Sequence, residues 1–324
     1  MTRTHACRAR RIQRLRIPAL LLCSALLGAC ATPKADRPQT DAAPMSITER
    51  NLMSIQEDQA ALFKQMGAGE LSEEDFQRRI MQLASRYDEI LAGNPNNFDL
   101  LILYGKFLRQ INQNEKADRI FAHADALDPN IAVVKQQMGN YLAETGDYSQ
   151  ALAYYLRAVE LDPSQAVYHY GIGELLATFR DKFVADGVYT DDVIDAQILA
   201  AFAKAAGMDP ENKDFLFRNG EAYYDLHTPR WDDALTIWTA IGARSDLTPF
   251  EKDVVRLHKA RVLCELGRDK EALALLHDDV APFLKATRAR LMKRLADAST
   301  APREGDAPNI QEQPQSQPAP DAAK

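Results

Sequence analysis

Nowhere along the chain do apolar and polar residues alternate as they would in a half-buried strand. Instead, apolar and small residues return at one long, fixed interval. Gly105, Gly139 and Gly173 stand 34 residues apart, and so do Pro95, Pro129 and Pro163, and Leu108, Leu142 and Leu176. Ala117, Phe121 and Ala124 return as Ala151, Tyr155 and Ala158, and Leu127-Asp128-Pro129 returns as Leu161-Asp162-Pro163. A fixed period means that one small unit is copied, and that each copy buries its apolar face only against its neighbours. A small residue where two helices cross lets their backbones approach, and the aromatic fills the space between units. Proline cannot continue a helix interior, so it marks the entry to the next unit.

The pattern predicts helix pairs at 98–131 and 132–165. A third unit starts at Ala166 and then leaves the register. Gly173 to Gly220 and Pro163 to Pro210 both measure 47 residues instead of 34, so 13 extra residues lie between Leu176 and Phe202, at about Arg180–Asp191. The third unit thus fills 166–212. A fourth covers 213–248, with Gly220, Ala234 and Trp238. A weaker fifth covers 249–280, with Ala260, Gly267 and Ala272. Upstream, 71–93 reads as a lone second helix ending before Pro95, preceded by an amphipathic helix over 45–66. Downstream, Ala281–Leu295 reads as a closing helix, whose Arg288, Arg290, Lys293 and Arg294 give the polar outer face that the end of a solenoid needs.

A small residue in the first helix, a small-aromatic-small run in the second and a closing proline resemble the tetratricopeptide (TPR) repeat. The resemblance covers roughly residues 71–280. It implies an all-α, right-handed superhelical solenoid of antiparallel helix pairs over 45–297, with N-terminal helices and a C-terminal capping helix. It also implies a concave groove lined by the first helix of each unit, and a scaffold or peptide-binding role without catalysis. Carried over, the groove positions are Asp99, Ile102, Lys106, Arg109 and Gln110; Val133, Gln136, Asn140, Ala143 and Glu144; Val167, Tyr170, Glu174, Ala177 and Thr178; and Asp214, Phe217, Glu221, Tyr224 and Asp225. Among them Lys106, Arg109, Gln136, Asn140, Tyr170, Glu174, Phe217, Glu221 and Tyr224 form a gradient from basic through amide to acidic and aromatic. Such a gradient would orient a bound segment with its acidic part near Lys106. The carboxylate clamp of chaperone-binding members is not matched, because the third unit lacks its basic pair.

The first 29 residues read as a targeting segment. Arg3, Arg8, Arg10, Arg11, Arg14 and Arg16 precede an 11-residue apolar run, Ile17–Leu27, too short for a membrane-spanning helix of about 20 residues. Leu27-Gly28-Ala29-Cys30 resembles a bacterial lipobox, which implies a covalent lipid, palmitate included, on Cys30 as the mature N-terminus. The alternative is an ordinary secretory signal or a short anchor. With no aspartate after Cys30, the expected address is the outer membrane of a diderm envelope, facing the periplasm. Residues 30–44 read as a flexible tether, and 298–324, rich in Pro, Gln and Ala, as a disordered tail.

Charge narrows the partners. Removing residues 1–29 takes away six arginines and no acid, which moves the net charge from −7 to −13. That argues against nucleic acid and against anionic membranes as main partners. Cys30 and Cys264 alone survive processing, so no internal disulfide is expected, and Cys264 reads as a small buried residue. The six histidines are scattered, no metal or nucleotide motif occurs, and no cofactor is expected. Asp191, Asp192 and Asp195 could look like a cation cluster, but two of them sit where a helix starts, so capping and dipole compensation explain them better. Ser72 is expected to cap a helix, Trp238 to be core and Trp231 half exposed. Phe183, Val184, Val188 and Tyr189 of the insertion either pack back over a second helix or form a lip on the groove. The chain reads as a membrane-anchored adaptor of a cell envelope, with a protein or peptide partner. Two alternatives stand beside this reading: an enzyme or small-molecule binder using the insertion as a lid, and a self-associating structural lipoprotein.

Overall fold

The structure, a computed structural model, describes residues 46–300. The targeting segment, Cys30, the tether and the tail beyond Thr300 lie outside the described residues. Among the described residues every regular element is helical, and the chain divides into two compact units between Thr228 and Pro229.

The first unit holds α1 (Ile47–Gly67), α2 (Glu73–Gly93), α3 (Phe98–Gln110), α4 (Asn114–Leu127), α5 (Ala132–Thr145), α6 (Tyr148–Leu161), α7 (Ala166–Thr178), α8 (Arg180–Ala185), α9 (Asp191–Met208) and α10 (Lys213–Glu221). α2 is not a lone helix: Leu52, Ile55 and Leu62 of α1 share one core with Ile80, Leu83 and Tyr87 of α2. Both helices start as local chemistry dictates. Ser46 and Glu49 form a reciprocal capping box. Ser72 accepts from the Asp75 amide, while the Asp75 carboxylate turns to the Ser72 hydroxyl.

The repeat rests on one contact. A Cβ added to Gly105 would sit 2.6 Å from the Phe121 ring, one on Gly139 3.1 Å from Tyr155, and one on Gly173 2.8 Å from Phe202. Phe121 and Phe202 are fully buried. Glycine is required here because the ring of the second helix lies against the backbone of the first. From Gly105 to Phe121 and from Gly139 to Tyr155 is 16 residues, but from Gly173 to Phe202 it is 29. The 13-residue insertion therefore lies inside the third unit without disturbing its packing. The turn between paired helices also repeats: Asn112 (φ 59°) and Gly146 (φ 89°), one period apart, both take the left-handed conformation.

The insertion supplies α8 and its following turn, and it also lengthens the next helix. α9 has 18 residues where α4 and α6 have 14 each. Phe183 is buried, edge-on to Tyr148 (5.0 Å) and Tyr189 (5.8 Å), and Tyr148 stacks on Phe179. Tyr148 also donates to Asp186. The insertion thus packs back over the start of α6, while Val188 stays exposed.

The second unit holds α11 (Trp231–Gly242), α12 (Pro249–Glu265), α13 (Asp269–Leu276) and α14 (Lys285–Thr300). The closing helix starts later than its hydropathy pattern predicts, because Pro282–Leu284 forms a 3₁₀ turn, and it continues through Thr300. Trp231 is half-buried and Cys264 is half-buried rather than core. Trp238 is fully buried and stacks face to face on His258 at 4.0 Å. Burial, helped by Arg261, pushes the His258 imidazole down to about 3. The folded unit thus prefers the neutral ring, whereas an unfolded chain takes a proton below about 6.5. This stabilisation is present above pH 6.5 and is lost as the pH falls. At about 1.4 kcal/mol per unit of pKa separation, and with the residue partly exposed, about 1–2 kcal/mol should be lost between pH 7 and pH 5. Trp fluorescence melts at the two pH values measure this. His258→Phe, which keeps the stack but cannot titrate, should show a smaller loss; an equal loss would refute the assignment.

Candidate functional site

The first helices of successive units lie side by side within the first compact unit, and ion pairs join them. Arg109 on α3 donates to both carboxylate oxygens of Glu144 on α5 (3.0 and 3.2 Å) and pairs with Asp118 on α4. Burial raises the Asp118 carboxyl despite this arginine. Arg218 on α10 is held between Glu174 on α7 and Asp225 (2.8 Å to the latter), with its guanidinium 4.2 Å from the Phe202 ring centroid. Burial works to lower the Arg218 pKa, but Glu174 and Asp225 together outweigh it and the net direction is up.

The middle of this face is built from α5 and α7 around a ring from behind. Tyr155 of α6 passes between Gly139 and Gly171, with a Cβ on either glycine meeting its ring at 3.1 or 2.8 Å. Its hydroxyl donates to Asn140 Oδ1 at 2.6 Å, and Gln136 Nε2 donates to the same oxygen at 3.2 Å. Gln136 is buried and also accepts from Gln137. Tyr170 lies against Phe202 (5.7 Å) and Phe215 (5.0 Å); burial, and then Glu174, push its phenol up.

Among the predicted positions the structure joins Arg109 to Glu144, Gln136 to Asn140, and Glu174 to Asp225 through Arg218. Arg109 is neutralised by two carboxylates, and Lys106 also has interaction partners within the protein. Of the charged side chains at the predicted positions, Asp99, Glu144, Glu174, Asp214, Glu221 and Asp225 are acidic, against Lys106 and Arg109, and Arg218 adds one positive charge beside them. The face is acidic, most strongly along α7 and α10. Sequence reasoning missed Arg218 and the role of Glu144. A signal existed, since Arg109 and Glu144 are separated by one period plus one residue, the spacing of neighbours on adjacent first helices.

Asp195 lies in the second turn of α9. It is buried, accepts from Arg180 Nε (3.2 Å) and Nη2 (3.0 Å), and accepts from the backbone amides of His227 (2.9 Å) and Thr228 (3.1 Å). Asp191 pairs with Arg180 at 2.7 Å, and Thr190 makes no side-chain cap. Among the described residues no cluster of His, Cys, Asp or Glu is arranged to hold a metal ion.

This fold is a TPR-like solenoid of helix pairs, the class anticipated from the period. A family model for the TPR repeat matches residues 139–178, from the middle of α5 to the end of α7. The DnaJ homolog subfamily C member 7 homolog of Schizosaccharomyces pombe is 31% identical over 87 residues, which cover 23% of this chain and 18% of that protein. The match thus spans less than a fifth of the relative's length. Among solved structures, PilW, described as a widely conserved type IV pilus biogenesis factor, superposes with a TM-score of 0.52 at 14% identity, covering 76% of this chain and 99% of that one. The structure of Pseudomonas aeruginosa pilF gives 0.51 at 13% identity, covering 78% and 100%. These likenesses establish the fold.

Proposed function

We propose that this chain is an interaction scaffold of a bacterial cell envelope, tethered by a lipid on Cys30, that holds a protein segment across the face of α3, α5, α7 and α10. The observation carrying the binding role is the side-by-side array itself. Arg109–Glu144 and Glu174–Arg218 fix neighbouring first helices, so the face is organised before any partner arrives, and preorganisation reduces the cost of binding. Its aromatic and amide groups suit a peptide or helix, and its acidic excess suits a basic one. The anchor rests on the six arginines, the short apolar run and Leu27-Gly28-Ala29-Cys30. The insertion, with Phe183 buried against Tyr148, is held down rather than poised as a lid, which favours the scaffold over an enzyme.

Site-specific photo-crosslinking in intact cells tests the reading. A crosslinking residue at Val167 or Phe217 should capture protein, and one at exposed Leu156 or Met81 should not. Equal capture from both sets would sink the proposed face. In the same cells, Cys30→Ser should move the chain out of the lipid-anchored membrane fraction.

A further inference from the structure

We infer that the face of α3, α5, α7 and α10 takes the basic closing helix α14 of a second copy of this chain. The inference rests on the binding face proposed above and names its occupant. Between Asp279 and Asp297 the chain has no acidic residue but five cations: Lys285, Arg288, Arg290, Lys293 and Arg294. Two of them are spent internally. Arg288 donates to the Leu276 and His277 carbonyls, and Arg294 donates to both oxygens of Glu265. Among the described residues Arg290 donates to the Thr287 hydroxyl, and Lys285 pairs with an exposed Asp279. Arg290 and Lys293 are exposed, on a helix whose Leu284 and Leu295 are buried against its own unit.

Beside those cations stands Phe283, 92% exposed at the tip of the 3₁₀ turn that leads into α14, and Met292 is exposed too. An exposed Phe leading into a helix with exposed Arg and Met matches the residue types enriched at interfaces. The complementary surface is on the same chain. Glu174 and Asp225 flank Arg218, α10 adds Asp214 and Glu221 beside Lys213, and the partly exposed Tyr170 supplies ring area, leaving the group with an acidic excess. A symmetric contact of α14 with another α14 would set cations against cations. A head-to-tail contact sets cations against acids, and such contacts extend into open rows of copies unless the rotation closes a ring. One helix face covers less than the roughly 1,200 Å² of stable complexes, so the contact should exchange and weaken with salt.

The experiment uses the full chain in its own cells, co-expressed with two different epitope tags and carrying a photo-crosslinking residue in place of Phe283. Mixed-tag products are expected, with the crosslink mapping to α7 or α10 of the other copy. Because like charges across an interface cost several kcal/mol, Arg290→Glu with Lys293→Glu should lower their yield at least about tenfold. Asp214→Lys with Glu221→Lys in the second copy should restore it. Absence of mixed-tag products, products indifferent to the reversal, or crosslinks from position 283 only to another protein or to lipid would each overturn the inference. Capture from Val167 and Phe217 is read separately. A foreign protein trapped there, with no mixed-tag product, refutes self-docking and leaves the binding face standing; no capture there at all refutes the face.

Discussion

Asp195→Ala should destabilise the end of the first compact unit by about 3–5 kcal/mol, the cost of removing one partner from a buried ion pair. Asp195 is 7% exposed, and its carboxylate receives four N–H bonds, two from Arg180 and two from the His227 and Thr228 backbone. Its loss leaves the Arg180 guanidinium with Asp191 alone and strips two amides of their acceptor. The effect should be local first. Hydrogen exchange should accelerate by about a hundredfold or more in α8, the start of α9 and residues 226–228, with α3–α6 unaffected. Asp195→Asn, which keeps the volume but loses the charge, should fall between. Uniform acceleration through the unit, or none, would show that the carboxylate is not the clasp that holds the insertion.

Phe202→Ala should cost a similar amount, about 3–5 kcal/mol, because a fully buried ring is replaced by a cavity. The ring backs Gly173, meets Tyr170 edge-on and carries the Arg218 guanidinium on its face. Losing it should loosen both the helix pair and the acidic face. A paired experiment tests the glycine account directly. Gly173→Ala alone should destabilise by about 1–3 kcal/mol through overpacking. In the Phe202→Ala background the same change should stabilise by up to about 1 kcal/mol, because the obstructing ring is gone and alanine is the better helix former. Denaturant unfolding of the four proteins gives the sign. If Gly173→Ala is destabilising in both backgrounds, the ring is not what demands glycine.

The helix pairs were legible in the sequence because a repeat writes its packing as a period. The 13-residue insertion was legible for the same reason, since glycine and proline markers moved together. What filled it was not. The division between a short helix and a longer α9 depends on Phe183 finding Tyr148, a contact across units with no periodic trace. α1 and α2 pair through Ile55, Ile80 and Tyr87, but lack the glycine signature, so α2 read as solitary. The partners of the charged groups on the first helices were not legible. Charge read along single helices made Arg109 a basic pole, whereas the side chain reaches the next unit and is spent on Glu144. The same blindness to contacts distant in sequence hid Arg218 and the partners of Asp195. Cys30 and the tether remain readings of sequence alone.

The contact of ring on glycine has a consequence for how such an array can grow. Sixteen residues separate the partners in two units and 29 in the third, yet the same two surfaces meet. Chain added at the turn inside a pair pays only loop closure, which rises by about 0.6 kcal/mol for each doubling of length. Chain added within a helix would rotate every later side chain off its partner. The bend inside each pair is thus the place where new surface can be acquired without re-registering the array, and α8 shows one such acquisition already built.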